Sequence, residues 1–305
     1  MRKRALLIIN RHARKGKNGF AQAVDCLDDL GFELITVPTK LNQSLAEYIQ
    51  FYANSVDMVI VGGGDGTLNA VVNTLVESQL PLGILPMGTA NDLARTLNLP
   101  NTIPQACQVI SQGHHQAIDL GCVNGQYFFN VASLGLSVEI TTKLTKGVKR
   151  RWGVFAYAIT ALKALGQTRL FHATITQNGI SQRVKTLQIA VGNGRYYGGG
   201  MAIAKDATID DNRLDLYSLE IQHWWQMFHL ITHLPRGEQD LLPWVRTLAA
   251  DSIEITTSRP RKINTDGEIT VQTPAQFTVI PKALSVFVPV PQPLTPKVLS
   301  GGILQ

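Results

Sequence analysis

The sequence has few of the residues that mark secreted, membrane-spanning or thiolate-metal proteins. Its 305 residues include three cysteines, Cys26, Cys107 and Cys122, without C-x-x-C or metal-ligand spacing. An odd number of cysteines without such spacing argues against a disulfide scaffold. It predicts reduced, buried thiols in a cytoplasmic protein. No uninterrupted apolar run reaches the ~18 residues of a membrane-spanning helix. The short apolar run that follows Arg4 is interpreted as a first buried strand.

Charged residues are also scarce, at 16%, while hydrophobic residues make up 45%. This composition is sufficient for a sizeable core and lies far from the disordered range. The net charge of +6 favours acidic partners such as nucleotides or an anionic membrane surface. Aromatic and basic residues are not interleaved, so no nucleic-acid partner is predicted. A basic stretch at residues 143–151 fits either a membrane surface or a solvated loop.

The two commonest phosphate-binding motifs are missing, but another glycine-rich turn is present. Residues 56–61 are apolar and predict a buried strand that runs into Gly62-Gly63-Gly64-Asp65-Gly66-Thr67. Apolar residues then recur at helical spacing. No Gly-Lys-Ser/Thr follows, and the glycines lack dinucleotide-binding spacing. A glycine turn between a strand and a helix lets backbone N–H groups approach a phosphate.

Asp65 is the unusual member of this turn. A carboxylate would repel a bound phosphate by roughly 4 kcal/mol at ~4 Å and an effective dielectric of ~20. A divalent cation between the two charges reverses the sign of that interaction. The turn therefore predicts Mg²⁺-nucleotide chemistry, with a plain connecting turn as the alternative.

The order of the predicted elements indicates two domains. Strands and helices alternate through residues 1–125, which predicts an α/β domain with a parallel sheet and a ligand site at the carboxyl ends of its strands. Residues 126–288 predict a mainly antiparallel β-sandwich, and residues 289–305 a proline-rich segment that either ends as a tail or packs back on the first domain. The second part has predicted strands at residues 127–131, 171–176, 184–191, 213–219, 252–257, 277–280 and 285–288. Helices are expected near residues 153–165 and 223–234.

Three further segments are candidates for chemistry. Residues 85–92 form a second phosphate-type turn, in which Thr89 or Asn91 is expected to cap a helix or face a ligand. Residues 206–215 carry carboxylates that can gather a hard cation, or form a solvated turn. Asn264-Thr265-Asp266-Gly267-Glu268 combines a hairpin signal with two acids.

Taken together, GGGDGTLN and LGILPMGTANDLA closely resemble the bacterial diacylglycerol kinase-like lipid kinases, including the YegS type. IDLG, GNGRYYGGG and TDGE follow in family order, so the resemblance covers most of the chain. One departure concerns the loop after the first strand, where Asn10 is followed by a basic stretch rather than by the family's Pro-x-Ser-Gly.

The resemblance implies a set of site residues. The ATP site would comprise Thr39 on the ribose or base side and Thr89 near the phosphates, together with Gly63, Gly64, Asp65, Gly66, Thr67, Leu68 and Asn69. A Mg²⁺ would be held by Asp211 and the carbonyl oxygens of Thr208 and Arg213. Glu268 would accept the proton of the lipid hydroxyl, with Asp266 orienting metal or water, although the roles of these two acids could be reversed.

The predicted protein is thus a cytoplasmic, peripherally membrane-associated lipid kinase that uses ATP and Mg²⁺. Its lipid substrate at the membrane surface offers a hydroxyl, as diacylglycerol and phosphatidylglycerol do. The alternatives are a NAD kinase-like phosphotransferase with a soluble substrate and a non-catalytic lipid- or nucleotide-binding regulator.

Overall fold

The first part of the chain forms a parallel sheet. The computed structural model describes residues 2–11, 13, 15–37, 44–143, 169–223 and 225–291. The first four strands lie in the order β2-β1-β3-β4 and pair in parallel. They are β1 (Arg4–Ile9), β2 (Glu33–Thr36), β3 (Met58–Gly63) and β4 (Leu82–Pro86). The helices of this part are α1 (Gly16–Asp29), α2 (Leu45–Tyr52), α3 (Asp65–Asn69), α4 (Val72–Ser78), α5 (Asp92–Thr96) and α6 (Ile103–Gln112).

Both faces of this sheet are covered, which explains why its strands read as apolar runs. In β1, Leu6 and Ile8 belong to the same buried cluster as residues of α2 and α4. Leu7 and Ile9 belong to the opposite cluster, with residues of α1 and α6. The period-two alternation of a strand thus distributes consecutive apolar side chains between two cores.

The second part of the chain is an antiparallel β-sandwich, as predicted. One sheet has the order β14-β13-β10-β7-β16-β17. Its strands are β7 (Val131–Gly135), β10 (Gln188–Gly192), β13 (Leu214–Leu219), β14 (Val245–Ala250), β16 (Lys262–Thr265) and β17 (Glu268–Gln272). The facing layer consists of β5 (His115–Val123), β6 (Gln126–Phe128), β8 (Phe171–Gln177), β9 (Ile180–Thr186), β15 (Ser252–Thr257) and β18 (Ala275–Phe287). Buried residues of both layers, among them Ile189, Leu216, Ile253 and Phe277, share one core.

Shorter elements complete the second part. They are β11 (Tyr196–Tyr197), β12 (Met201–Ala202), α7 (Leu136–Lys143) and α8 (Gln226–His233). No described helix combines the length and the apolar character needed to cross a membrane.

The strands β5 and β18 extend through both parts of the molecule. The first half of β18 pairs with β15 and β5 in the sandwich. After a register shift between Ile280 and Leu284, its second half pairs with the start of β5 and, at Val286, in parallel with Leu82 of β4. The α/β sheet is therefore completed by a strand from the far end of the sequence.

Several predicted boundaries were wrong. Residues 184–191 are two strands, β9 and β10, which lie in different sheets. The separate strands predicted at 277–280 and 285–288 are parts of the continuous strand β18. The helix expected after the glycine turn is divided into α3 and α4. The helix α6 and the strands β14, β16 and β17 were not predicted.

Some predictions fall where the structure describes nothing. Thr39, the helix near residues 153–165 and residues 144–151 of the basic stretch lie outside the described residues. The C-terminal segment is described only as far as Pro291, and Val288 donates a backbone hydrogen bond to the carbonyl oxygen of His114.

Candidate active site

The two glycine turns touch each other at the carboxyl edge of the parallel sheet. A Cβ atom placed on Gly88 would lie 2.5 Å from the Cα of Gly64. The backbone N–H of Met87 donates to the carbonyl oxygen of Gly63 over 2.9 Å. Glycine is required here because the two backbones approach more closely than a side chain would allow. The two turns therefore lie in direct contact at this edge of the sheet.

The loop after β1 joins the same edge. The Nδ2 of Asn10 donates to the Oγ1 of Thr67 over 3.1 Å, and the backbone N–H of Lys15 donates to the carbonyl oxygen of Met87. The side chain of Lys15 is turned to the carbonyl oxygen of Asn101. Asn10 thus links this loop to the glycine turn despite the atypical residues that follow it.

The residues predicted to bind nucleotide differ in what they offer a ligand. Gly66 is exposed, whereas Thr67, Leu68 and Asn69 are buried. Leu68 packs in the apolar core, so only its backbone is available. The Nδ2 of Asn69 is a buried donor without a hydrogen-bond acceptor among the described residues. Because buried donors are normally paired, an acceptor oxygen on a ligand fits this position.

The second turn is held by Asn91 in a way that was not expected. Asn91 adopts a left-handed conformation, with φ of 52°, just before α5, but its side chain does not cap the helix. Its Oδ1 instead accepts the backbone N–H of Gly88, and its Nδ2 donates to the carbonyl oxygen of Gly88. Thr89 stays exposed at the tip of the turn, where a ligand can reach it.

Two carboxylates from the two turns form a pair. The Oδ1 of Asp65 accepts the backbone N–H of Leu93 over 3.3 Å. Asp92, with 5% exposure, accepts the backbone N–H of Gly199 with both oxygens, at 3.1 and 3.0 Å. Burial, and then the nearby charge of Asp65, raise the pKa of Asp92 to about 7. Burial also raises the pKa of Asp65, and backbone hydrogen bonds, first that of Leu93, partly offset the rise.

Sequence reasoning assigned no role to Asp92, although the residue stands in the GTAND motif. Its position directly after a turn rich in small residues was the available signal. What the sequence could not provide was the contact with Gly199, which lies 107 positions further along the chain.

A third buried carboxylate, Asp266, fastens the hairpin turn between β16 and β17. Its Oδ2 accepts the backbone N–H of Phe129 over 2.7 Å, and its Oδ1 accepts those of Asn130 and Val131 at 2.9 and 3.0 Å. Burial raises the pKa of Asp266 to about 6, against the lowering effect of these bonds. Three of its roughly four lone-pair positions are therefore used by the backbone, which leaves little capacity for metal or water.

Glu268 stands two residues beyond, at the start of β17, and is exposed. A Cβ atom placed on Gly66 would lie 3.3 Å from the Oε1 of Glu268. The structure therefore brings the carboxylate of Glu268, on the sandwich, next to the glycine turn of the α/β domain. The charge of Asp65 also acts on Asp266 across this junction, which places these acids at the same cleft.

The groups around Asp211 decide whether residues 206–215 can hold the predicted cation. Its Oδ2 accepts the backbone N–H of Thr208 and contacts the Nε of Arg213, and its Oδ1 accepts the backbone N–H of Arg213. Among the described residues, no group of three or more His, Cys, Asp or Glu side chains is arranged to hold a metal ion. Ligation of Mg²⁺ by Asp211 with the carbonyl oxygens of Thr208 and Arg213 does not fit this arrangement.

The fold and the cleft define a class: a two-domain protein with a parallel α/β sheet, two touching glycine turns and a β-sandwich that supplies further carboxylates. The family model described as "Diacylglycerol kinase catalytic domain" matches residues 4–123. A second, described as "YegS C-terminal NAD kinase beta sandwich-like domain", matches residues 130–288. The chain belongs to the YegS-type diacylglycerol kinase-like family of lipid kinases.

Individual relatives agree with this assignment. The chain is 32% identical over 294 residues to the "Diacylglycerol kinase" of Staphylococcus aureus (strain JH9), covering 95% of this chain and 93% of that protein. A crystal structure described as a diacylglycerol kinase from Bacillus anthracis str. Sterne has a TM-score of 0.76 and 26% identity, covering 94% of this chain and 97% of that one. A second structure from that organism has a TM-score of 0.81 and 28% identity, covering 94% and 95%.

Proposed function

We propose that this chain is an ATP- and Mg²⁺-dependent lipid kinase that phosphorylates a hydroxyl of a membrane lipid such as diacylglycerol or phosphatidylglycerol. The observation that carries the proposal is the position of Glu268 beside Gly66. A proton acceptor on one domain faces a phosphate-type turn on the other, which is the juxtaposition that transfer between two bound substrates needs.

The nucleotide side of the cleft rests on the two glycine turns. Backbone N–H groups of residues 63–66, the hydroxyl of Thr89 and the unpaired Nδ2 of Asn69 would donate to phosphate oxygens, whereas the N–H of Thr67 already donates to the carbonyl oxygen of Gly64. Thr39, which lies outside the described residues, stays a predicted contact on the ribose or base side.

A Mg²⁺ bound with the nucleotide fits the pair formed by Asp65 and Asp92. Two desolvated carboxylates with raised pKa values are stabilised in their ionised form by a divalent cation, and carboxylate oxygens are the ligands it prefers. When bound, the ion would neutralise charge on the phosphates. These two residues are the ones that would hold it.

In the proposed reaction, the lipid hydroxyl oxygen forms a bond to the γ-phosphorus while the bond to the β–γ bridging oxygen breaks and ADP leaves. The hydroxyl proton passes to the carboxylate of Glu268. Asp266 acts as a positioning residue, because its three backbone hydrogen bonds hold the turn that carries Glu268. Phosphoryl transfer depends mainly on positioning and charge stabilisation, so the base needs to take the proton only late.

The lipid approaches from the membrane surface, and we propose peripheral contact of a cytoplasmic protein with an anionic bilayer. The net charge of +6 supports this attraction.

The test is transfer from γ-labelled ATP to vesicles that contain diacylglycerol, phosphatidylglycerol or a total lipid extract, with NAD as a soluble acceptor. We expect a labelled lipid and no labelled NAD. Label on NAD alone would support the NAD kinase-like alternative, and nucleotide binding without turnover would support the regulator.

Single substitutions distinguish the roles of the individual site residues. Asp65→Asn should abolish transfer while leaving the fold intact.

Glu268→Gln should lower kcat by ~10²-fold with an unchanged Kd for MgATP, since it removes only the proton acceptor. Glu254→Gln, on an exposed strand position, is the matched control. Wild-type turnover in Glu268→Gln would remove this residue from the mechanism.

A further inference from the structure

The acidic loop before β13 has a positive charge at its centre. The guanidinium of Arg213 contacts three carboxylates: its Nη2 lies 2.9 Å from Asp206, and its Nε lies 3.3 Å from Asp211 and 3.5 Å from Asp215. Asp211 and Asp215 are largely shielded from solvent, and Asp206 is exposed. One side chain thus gathers acids from both ends of the loop, which is what a bound divalent cation does in a loop of this kind.

The groups that surround Asp211 are hydrogen-bond donors. Its two oxygens receive the backbone N–H groups of Thr208 and Arg213, at 3.1 and 3.3 Å, in addition to the guanidinium. A hard cation requires oxygen ligands around it, and a guanidinium already in contact with this carboxylate opposes the entry of a second positive charge. The loop is closed by the hydrogen bonds of its own carboxylate.

Three further polar groups of the loop also have protein partners. The Oδ2 of Asp210 accepts the Nε2 of Gln116 over 2.8 Å. The backbone N–H of Asn212 donates to the Oδ2 of Asp119, and the backbone N–H of Asp119 donates to the carbonyl oxygen of Ile209. Strand β5 therefore anchors the loop through contacts that do not involve Arg213.

We propose that Arg213 is the built-in counter-ion of this loop: its guanidinium holds Asp206, Asp211 and Asp215 together in place of a divalent cation. Residues 206–215 then keep their closed conformation without a metal ion. Any divalent cation that the protein requires is one that binds together with the nucleotide. Hydrogen bonding to Asp206 further raises the pKa of Arg213, so the charge is present at every working pH. The proposal concerns this loop and stands whether or not the chain transfers phosphoryl groups.

Direct metal binding to the nucleotide-free full-length chain tests the proposal. Mn²⁺ binding, followed by electron paramagnetic resonance, should reveal no site in the wild type that depends on Asp211. Arg213→Gln removes the internal cation and should create one site with an affinity at least ~10-fold tighter than any wild-type site, about 1.4 kcal/mol. Adding Asp211→Asn to this variant should abolish the new site.

Lys205→Gln is the matched control, because it removes the same charge from the residue just before the loop, and the ion pair of Lys205 with Glu238, at 3.8 Å, does not involve Asp211. It should gain no Mn²⁺ site. A wild-type chain that binds one Mn²⁺ and loses it on Asp211→Asn would overturn the proposal.

Thermal unfolding gives an independent readout. The Tm of the wild type should be the same in EDTA and in millimolar Mg²⁺, whereas Arg213→Gln should lose stability in EDTA and recover it with Mg²⁺. If Arg213→Gln does not fold, Arg213→Lys retains the charge without the planar fork and should bind no Mn²⁺. A wild-type Tm that rises with Mg²⁺ and no longer does so in Asp211→Asn would contradict the proposal.

Discussion

At the scale of single residues, Asp92 lowers the stability of the empty cleft and at the same time supplies a carboxylate for binding. This carboxylate is almost fully buried, and the charge of the exposed Arg95 lowers its pKa less than burial and the charge of Asp65 raise it. Ionising it in the folded chain is unfavourable because the charge loses its hydration and faces Asp65. A cation that arrives with the nucleotide would remove this penalty, so the empty cleft should be the less stable form.

The first prediction follows from the sign of that shift. A pKa raised from 3.8 to about 7 contributes stability that is complete below pH 3.8 and is lost as the pH rises through 7. Asp92→Asn should therefore raise the free energy of unfolding of the nucleotide-free chain at pH 8, by on the order of 2–4 kcal/mol. The difference should shrink towards acid pH.

Urea unfolding between pH 4 and pH 8 measures this effect. Asp25→Asn, an exposed acid on α1, is the control and should show no such pH dependence. An Asp92→Asn chain that is less stable than the wild type at pH 8 would refute the argument.

Individual roles could be read from the sequence where the reason is local. Asp65 was singled out because a carboxylate in a glycine turn has few explanations. The three backbone bonds of Asp266 and the contact between Asp92 and Gly199 join segments more than a hundred residues apart, so no local pattern contains them.

At the scale of elements, the contact between the two glycine turns decides the shape of the cleft. In Gly88→Ala the new Cβ would lie 2.5 Å from the Cα of Gly64, and backbone atoms cannot rotate away as a side chain would. We expect the variant to lose about 1–3 kcal/mol of unfolding free energy, as overpacked sites do. The free energy of nucleotide binding should fall by more than the free energy of unfolding, because the two turns must separate to make room for the methyl group.

Urea unfolding and nucleotide titration on the same preparation measure both quantities. Ala70→Ser, at an exposed position after α3, should leave both unchanged. Gly88→Ala with wild-type nucleotide affinity would show that the turns need not touch for binding.

The elements themselves were predicted best where a strand has a distinct boundary. The turn at Asn178-Gly179 between β8 and β9 can be recognised from the sequence, because this dipeptide suits a turn with two left-handed residues, and both have positive φ. The division between β9 and β10 was missed because strand-type residues continue from Val184 to Val191 and only Leu187 separates the two strands. The hydroxyl of Thr186, which donates to the carbonyl oxygens of Gln188 and Leu219, marks the change of sheet.

At the scale of the whole molecule, Asp119 connects the parts. This residue of β5 is 2% exposed and accepts backbone N–H groups from Asn212, in the acidic loop, and Lys282, in the register shift of β18. Lys282 has φ of 50°, a conformation that the bond to Asp119 helps to hold. One carboxylate therefore fixes a loop of the sandwich and the irregularity at which β18 passes to the α/β sheet.

Asp119→Asn should lower the free energy of unfolding by about 2–4 kcal/mol, because an amide group would face one of the two N–H donors. Tryptophan fluorescence includes the signals of Trp225 and Trp244 in the second part of the chain, and far-UV circular dichroism reports on the whole chain. Both signals should shift together in denaturant, as expected for parts that share β5 and β18.

Asp57→Asn is the control, since Asp57 also accepts a backbone N–H, from Arg4, but at an exposed site. This substitution should lower the free energy of unfolding by less than ~1 kcal/mol. Separate transitions for the two signals in Asp119→Asn would show that the shared strands do not couple the parts.

The path of β18 also has a consequence for the order of events on the ribosome. Strand β4 emerges early, but the segment that pairs with its outer edge, around Val286, is translated some two hundred residues later. The α/β sheet of the nascent chain therefore waits with an open edge, of the kind that invites pairing with other chains, while the whole sandwich is synthesised. Chaperone dependence during synthesis should consequently be greatest in this interval and should end once β18 is available.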